Sequence, residues 1–130
     1  MATHYTSQKR KNRNGVCVIK SELEETLAYQ IRVAGLPIPL REYKAIQGRQ
    51  FRFDFAWPQE EYRLLVEIQG SIWKGVNGAH SSGTGLMRDH EKNNLAVLHG
   101  YRVLYANGNT ITSGEALAMI ERAIKTAPSE

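Results

Sequence analysis

Apolar and polar residues alternate most clearly between Phe51 and Gly70, where FRFDFAW, the connector PQEEY and RLLVEIQG read as the two strands of a hairpin. On the first strand the period of two puts Phe51, Phe53, Phe55 and Trp57 on one face and Arg52, Asp54 and Ala56 on the other. On the second, Tyr62, Leu64, Val66 and Ile68 share a face, with Arg63, Leu65, Glu67 and Gln69 opposite. Residues directly opposite in an antiparallel pair point the same way, so the two large apolar faces must coincide. The pattern therefore predicts that Asp54, Glu67 and Gln69 project together from the other face.

Helical periodicity brackets this hairpin. Leu23, Leu27, Ile31 and Ala34 form an apolar stripe over Ser21 to Ala34, and Ser21 with Glu24 has the S-x-x-E spacing of a capping box. Gly35 ends that helix, Pro37 and Pro39 exclude its continuation, and an extended piece follows near Arg41 to Ala45. Gln47 and Gly48 make a turn. After the hairpin, Gly70 to Gly85 is a glycine-rich loop holding Trp73, Lys74 and His80. Leu86 to Gly100 reads as a helix whose second half is apolar and whose first half is polar all round. Projecting its stripe backwards from Val97 meets Asn94 and His90. A start that juts into solvent and a start that overhangs a polar site both account for this. YRVLYA from Tyr101 to Ala106 is a strand, and a last helix runs from Ser113 to Lys125 with Leu117, Ile120 and Ile124 inward. The expected fold is α/β, with a mixed central sheet of about four strands flanked by about three helices.

Composition narrows the classes. The 130 residues, 42% hydrophobic, suit a single domain over 16–130, preceded by a polar basic arm over 1–15. No apolar run is long enough for a membrane span, and no apolar leader is visible. The single cysteine, Cys17, excludes an intramolecular disulfide and a multi-cysteine zinc site and fits a reducing cytoplasm. The net charge of +4 and pI near 9.3 suit a polyanionic partner. Lys9, Arg10, Lys11 and Arg13 of the arm, and Trp73 and Lys74 of the loop, are the candidate nucleic-acid contacts.

Two carboxylates facing each other across strands repel, and something must offset this: a hydrogen-bond network, a basic neighbour such as Arg52, or a divalent cation. A cation is the preferred reading, because hard oxygen ligands on rigid strands suit Mg2+ or Mn2+. Asp54 and Glu67 are its expected ligands.

The chain also resembles a known family. Asp54 on one strand, followed by Glu67-Ile68-Gln69 on the next, is similar to the acid and E-x-K elements of the PD-(D/E)XK nuclease superfamily. The longer pattern RFDFAWP, VEIQGSIW, a histidine loop, D-x-E-K and GYRVL resembles phage and bacterial relatives of the very-short-patch repair endonucleases over about residues 21 to 124. The resemblance implies a restriction-endonuclease-like core and a metal-dependent endodeoxyribonuclease that hydrolyses phosphodiester bonds in bacterial or phage-infected cells. DNA is then the partner, with structure-specific repair or recombination substrates and a symmetric dimer left open. Glu24 would correspond to the superfamily's helix glutamate. Gln69 stands where lysine is usual; it can orient water but supplies no positive charge. Lys92 or His80 would then supply the missing basic group. Lys74 takes the place of the repair enzymes' histidine, and their zinc cysteines are missing, so mismatch specificity is not implied. Two other readings stay open: a catalytically inactive nucleic-acid-binding module on the same fold, and a protein-interaction domain whose carboxylates pair with Arg52 and Arg63.

Overall fold

A computed structural model describes residues 19–70 and 83–128. Lys9, Arg10, Lys11, Arg13, Trp73, Lys74 and His80, for which nucleic-acid or catalytic roles are expected, lie outside these residues. The elements are α1 (Lys20–Val33), β1 (Leu40–Tyr43), β2 (Phe53–Trp57), β3 (Leu64–Ile68), α2 (Gly83–Leu98), β4 (Arg102–Ala106), α3 (Gly108–Ser113) and α4 (Glu115–Lys125). The sheet has the order β1-β2-β3-β4. The first three strands run antiparallel, and β4 lies parallel to β3. A parallel neighbour needs a long crossover, and α2 supplies it. The mixed four-stranded sheet expected from the alternation is thus present.

Two apolar clusters cover the two faces of the sheet. On one face Phe55, Trp57, Leu64, Val66, Ile68 and Ala106 pack with Leu27 and Ile31 of α1, Ile111 of α3, and Ala116 and Ile120 of α4. On the other, Phe53, Ala56 and Leu65 pack with Ala96 of α2, Ile46 and Tyr101. Each large side chain buried this way contributes roughly 1.5–3 kcal/mol relative to exposure.

Several local expectations change. Helix α1 starts at Lys20 with Ile19 as N-cap and no side-chain cap, so Ser21 and Glu24 form no capping box. The carboxylate of Glu24 is drawn instead to Arg41. Gly35 does end the helix, with φ 75° and the amide of Leu36 returning to the Ile31 carbonyl. Helix α2 begins at Gly83, earlier than Leu86, and its inward stripe runs through Ala96, which is fully buried; Val97 is 52% exposed. One turn back from Ala96 lies Lys92, so the inward face meets Lys92 rather than the projected Asn94 and His90. The last helix is split in two. Asn107 caps α3 through a reciprocal pair with Thr110, and Gly114, at φ 90°, separates α3 from α4.

The alternation along the first hairpin strand also breaks. Phe55 and Trp57 face α1, whereas Phe53, with Phe51 beside it, joins the cluster under α2. The four aromatic residues therefore do not share one face. The break falls at Asp54.

Candidate functional site

Asp54 stands where two backbone ladders are interrupted. The register between β2 and β3 runs Trp57↔Leu64, Ala56↔Leu65 and Phe55↔Val66, and stops there. One step further, side chains take over from the backbone. The Ile68 amide donates to Asp54 Oδ2 at 2.7 Å, and the Asp54 amide donates to Glu67 Oε1 at 3.4 Å. On its other side, β1 pairs Arg41 with Phe55 and Tyr43 with Phe53, and Glu42 between them turns out of the ladder with φ 51°. That left-handed conformation costs free energy for a residue with a Cβ. The two interruptions let Asp54 turn towards α1 and leave Glu67 on the α2 side. Asp54, Glu67 and Gln69 thus do not project from one face.

Around Asp54 the charges come from three elements. Lys20, the first residue of α1, places Nζ 3.1 Å from Asp54 Oδ1. Glu24 lies one turn further along α1, buried, and accepts from Arg41 Nε at 3.2 Å and Nη2 at 3.1 Å. Arg41 comes from β1, stacks over the Phe55 ring and is shared with the exposed Glu25. Glu24, Glu42 and Asp54 can each offer one carboxylate oxygen within 4.8 Å of the others. Burial, and then the Asp54 charge, push the Glu24 carboxyl up to about 7, with Arg41 only partly opposing them. Burial disfavours the Lys20 ammonium, yet Asp54, Glu67 and Glu24 outweigh it and hold the group above its ordinary pKa.

Glu67 belongs to the same cluster from the other side of the sheet. Its Oε2 is 2.5 Å from Lys92 Nζ, and Lys92 lies over the Phe53 ring. Both side chains are mostly buried. Burial raises the Glu67 carboxyl, Lys92 opposes this, Asp54 adds to it, and the net direction is upward.

The carboxylates around Asp54 could hold a hard divalent cation: they offer oxygen ligands only, and the sheet backbone holds one of them. Its three carboxylates are Glu24, Glu42 and Asp54; Glu67, expected beside Asp54 as a ligand, is ion-paired with Lys92. No family model, curated protein or solved structure matches the chain.

Of the residues singled out in the sequence, the structure brings together Asp54, Glu67, Glu24 and Lys92. Gln69 is exposed at the end of β3, where its amide donates to the Ala106 carbonyl. Arg52 is exposed, and Arg63 stacks on Tyr101 and donates to the His99 carbonyl; among the described residues neither forms the carboxylate pairs of the alternative interaction-domain reading. Three residues escaped sequence reasoning: Lys20, Arg41 and Glu42. Lys20 carried a signal, since it precedes Glu24 by four and so shares its helix face. Arg41 and Glu42 carried none, because their placement depends on the register of an edge strand.

Proposed function

We propose that the chain is a divalent-metal-dependent endonuclease that hydrolyses phosphodiester bonds in DNA. The observation that carries this reading is the convergence of Glu24, Glu42 and Asp54 from a helix and two strands, beside Glu67 and two ammonium groups. Carboxylates and lysines at one point suit a reaction that must hold a cation and steady a phosphoryl charge. Resemblance to the PD-(D/E)XK nucleases supports the same assignment.

Asp54, Glu24 and Glu42 would hold Mg2+ or Mn2+, which when bound supplies Lewis-acid polarisation of a phosphate oxygen and a more acidic water. Asp54 is oriented for this by the Ile68 amide, and Glu24 by Arg41. Lys92 keeps a positive charge beside Glu67, the function that Gln69 cannot perform. Glu67, half of that pair, would orient a water through Oε1, which also accepts the Asp54 amide at 3.4 Å.

A second reading has its own observation. Lys20, Lys92 and Arg41 already neutralise much of the carboxylate charge, as in a catalytically inactive nucleic-acid-binding module. A cleavage panel of linear, mismatched, flapped and four-way DNA, with and without Mg2+ or Mn2+, separates the two. Metal-dependent cleavage lost in Asp54→Asn supports the nuclease. Binding without cleavage on every substrate supports the inactive module.

A further inference from the structure

The two ammonium groups at the cluster are held differently. Lys92 is 15% exposed, clamped between Glu67 and the Phe53 ring. Lys20 is 45% exposed and, among the described residues, makes one ion pair, to Asp54 Oδ1. It sits in the first turn of α1, where its long side chain has solvent on one side. Asp54 is also the carboxylate common to the Lys20 pair and to the group formed with Glu24 and Glu42. Two positive charges cannot crowd that carboxylate at close range without strong mutual repulsion.

We infer that Lys20 is a resident counter-ion of the carboxylate cluster, and that a divalent cation must displace it from Asp54 in order to bind. The inference rests on reading Glu24, Glu42 and Asp54 as a metal centre. Without the cation, Lys20 offsets the repulsion among the three carboxylates. With it, the Lys20–Asp54 pair opens and the side chain swings outward, while Lys92 stays on Glu67. The ion pair thus sets a threshold for metal uptake, and the site closes on itself when the cation is scarce.

Calorimetric titration of Mn2+ into the full chain tests this, using the wild type, Lys20→Met, Lys20→Arg and Asp54→Asn. Lys20→Met should bind Mn2+ at least about tenfold more tightly than the wild type. Lys20→Arg, which keeps the charge, should stay within about threefold of it. A wild type too weak to measure beside a Lys20→Met that binds would also support the inference. Equal affinity in wild type and Lys20→Met, with binding lost in Asp54→Asn, overturns the counter-ion and leaves the metal centre standing. Absence of binding in every variant, or undiminished binding in Asp54→Asn, overturns both. A second readout needs no variant: amine acetylation of the wild-type chain, followed by mass spectrometry. Added Mn2+ should raise modification of Lys20 severalfold and leave Lys92 unchanged; protection of Lys20 that is insensitive to Mn2+ under saturating conditions overturns the inference.

Discussion

The backbone amide of Ile68 donates to the carboxylate of Asp54, 2.7 Å away and buried. A residue expected to serve chemistry therefore also completes the hydrogen bonding between β2 and β3, and the variants at this position must be chosen accordingly.

Asp54→Ala should destabilise the fold, because it strands a buried amide and leaves Lys20 unpaired. The cost should be roughly 1–3 kcal/mol in denaturant unfolding. Asp54→Asn keeps an acceptor for Ile68 and should recover much of that loss while still abolishing metal-dependent cleavage. Cleavage at the wild-type rate by Asp54→Asn would remove Asp54 from the site.

Glu24 should give the metal-free protein a characteristic pH dependence. Its carboxyl is raised to about 7 in the folded chain, so the folded state binds this proton more tightly than the unfolded state does. The resulting stability is fully present below the ordinary glutamate range and is lost as pH rises towards and through 7. A shift of this size corresponds to at most about 3 kcal/mol. Glu67 is shifted in the same direction and adds a slope of the same sign. In Glu24→Gln the fall between about pH 4.5 and 7 should be visibly shallower. Chemical denaturation at intervals across that range measures it; an unchanged slope would show that Glu24 is not the titrating group.

Lys92→Met should leave the mostly buried Glu67 carboxylate without its partner. The expected loss is about 1–3 kcal/mol of stability. Pairing it with Glu67→Gln should return much of the stability and none of the cleavage, a non-additivity that a double-mutant cycle reads directly. If the cycle shows no coupling energy, the ion pair is not formed in solution.

Gln69→Lys separates the two ways of placing a basic group. Gln69 is exposed, so the substitution alone should change stability by less than about 0.5 kcal/mol. With Lys92 already on Glu67, it should not raise the cleavage rate. In a Lys92→Met background it should restore activity, because the charge is returned from the strand. A large gain in the otherwise wild-type chain would mean that Lys92 does not fill the position.

Much of this arrangement was readable from the sequence because it depends on short-range pattern. Alternation along Leu64 to Ile68 and the turns at Gly35 and Gly48 reproduce the structure closely. The faces of Phe53 and Asp54 did not follow, because side chains replaced backbone partners there and alternation assumes an unbroken ladder. Glu24 matched a capping pattern that α1 does not use, since helix spacing alone does not say which way a glutamate turns when an arginine on a strand lies within reach. Lys92, singled out in the sequence, pairs with Glu67, and the stripe that leads to it runs through Ala96 rather than Val97.

The left-handed backbone at Glu42 has a consequence for descent. A lineage under selection for folding alone would still retain Asp54, because the amide of Ile68 leans on it. Glu42 has no comparable hold: it is exposed, and glycine or asparagine would adopt φ 51° at less cost. Selection for folding alone would let position 42 change first. Among diverged copies of this chain, the persistence of a glutamate there would speak for the proposed metal site, where the persistence of Asp54 would report only a sheet that still closes.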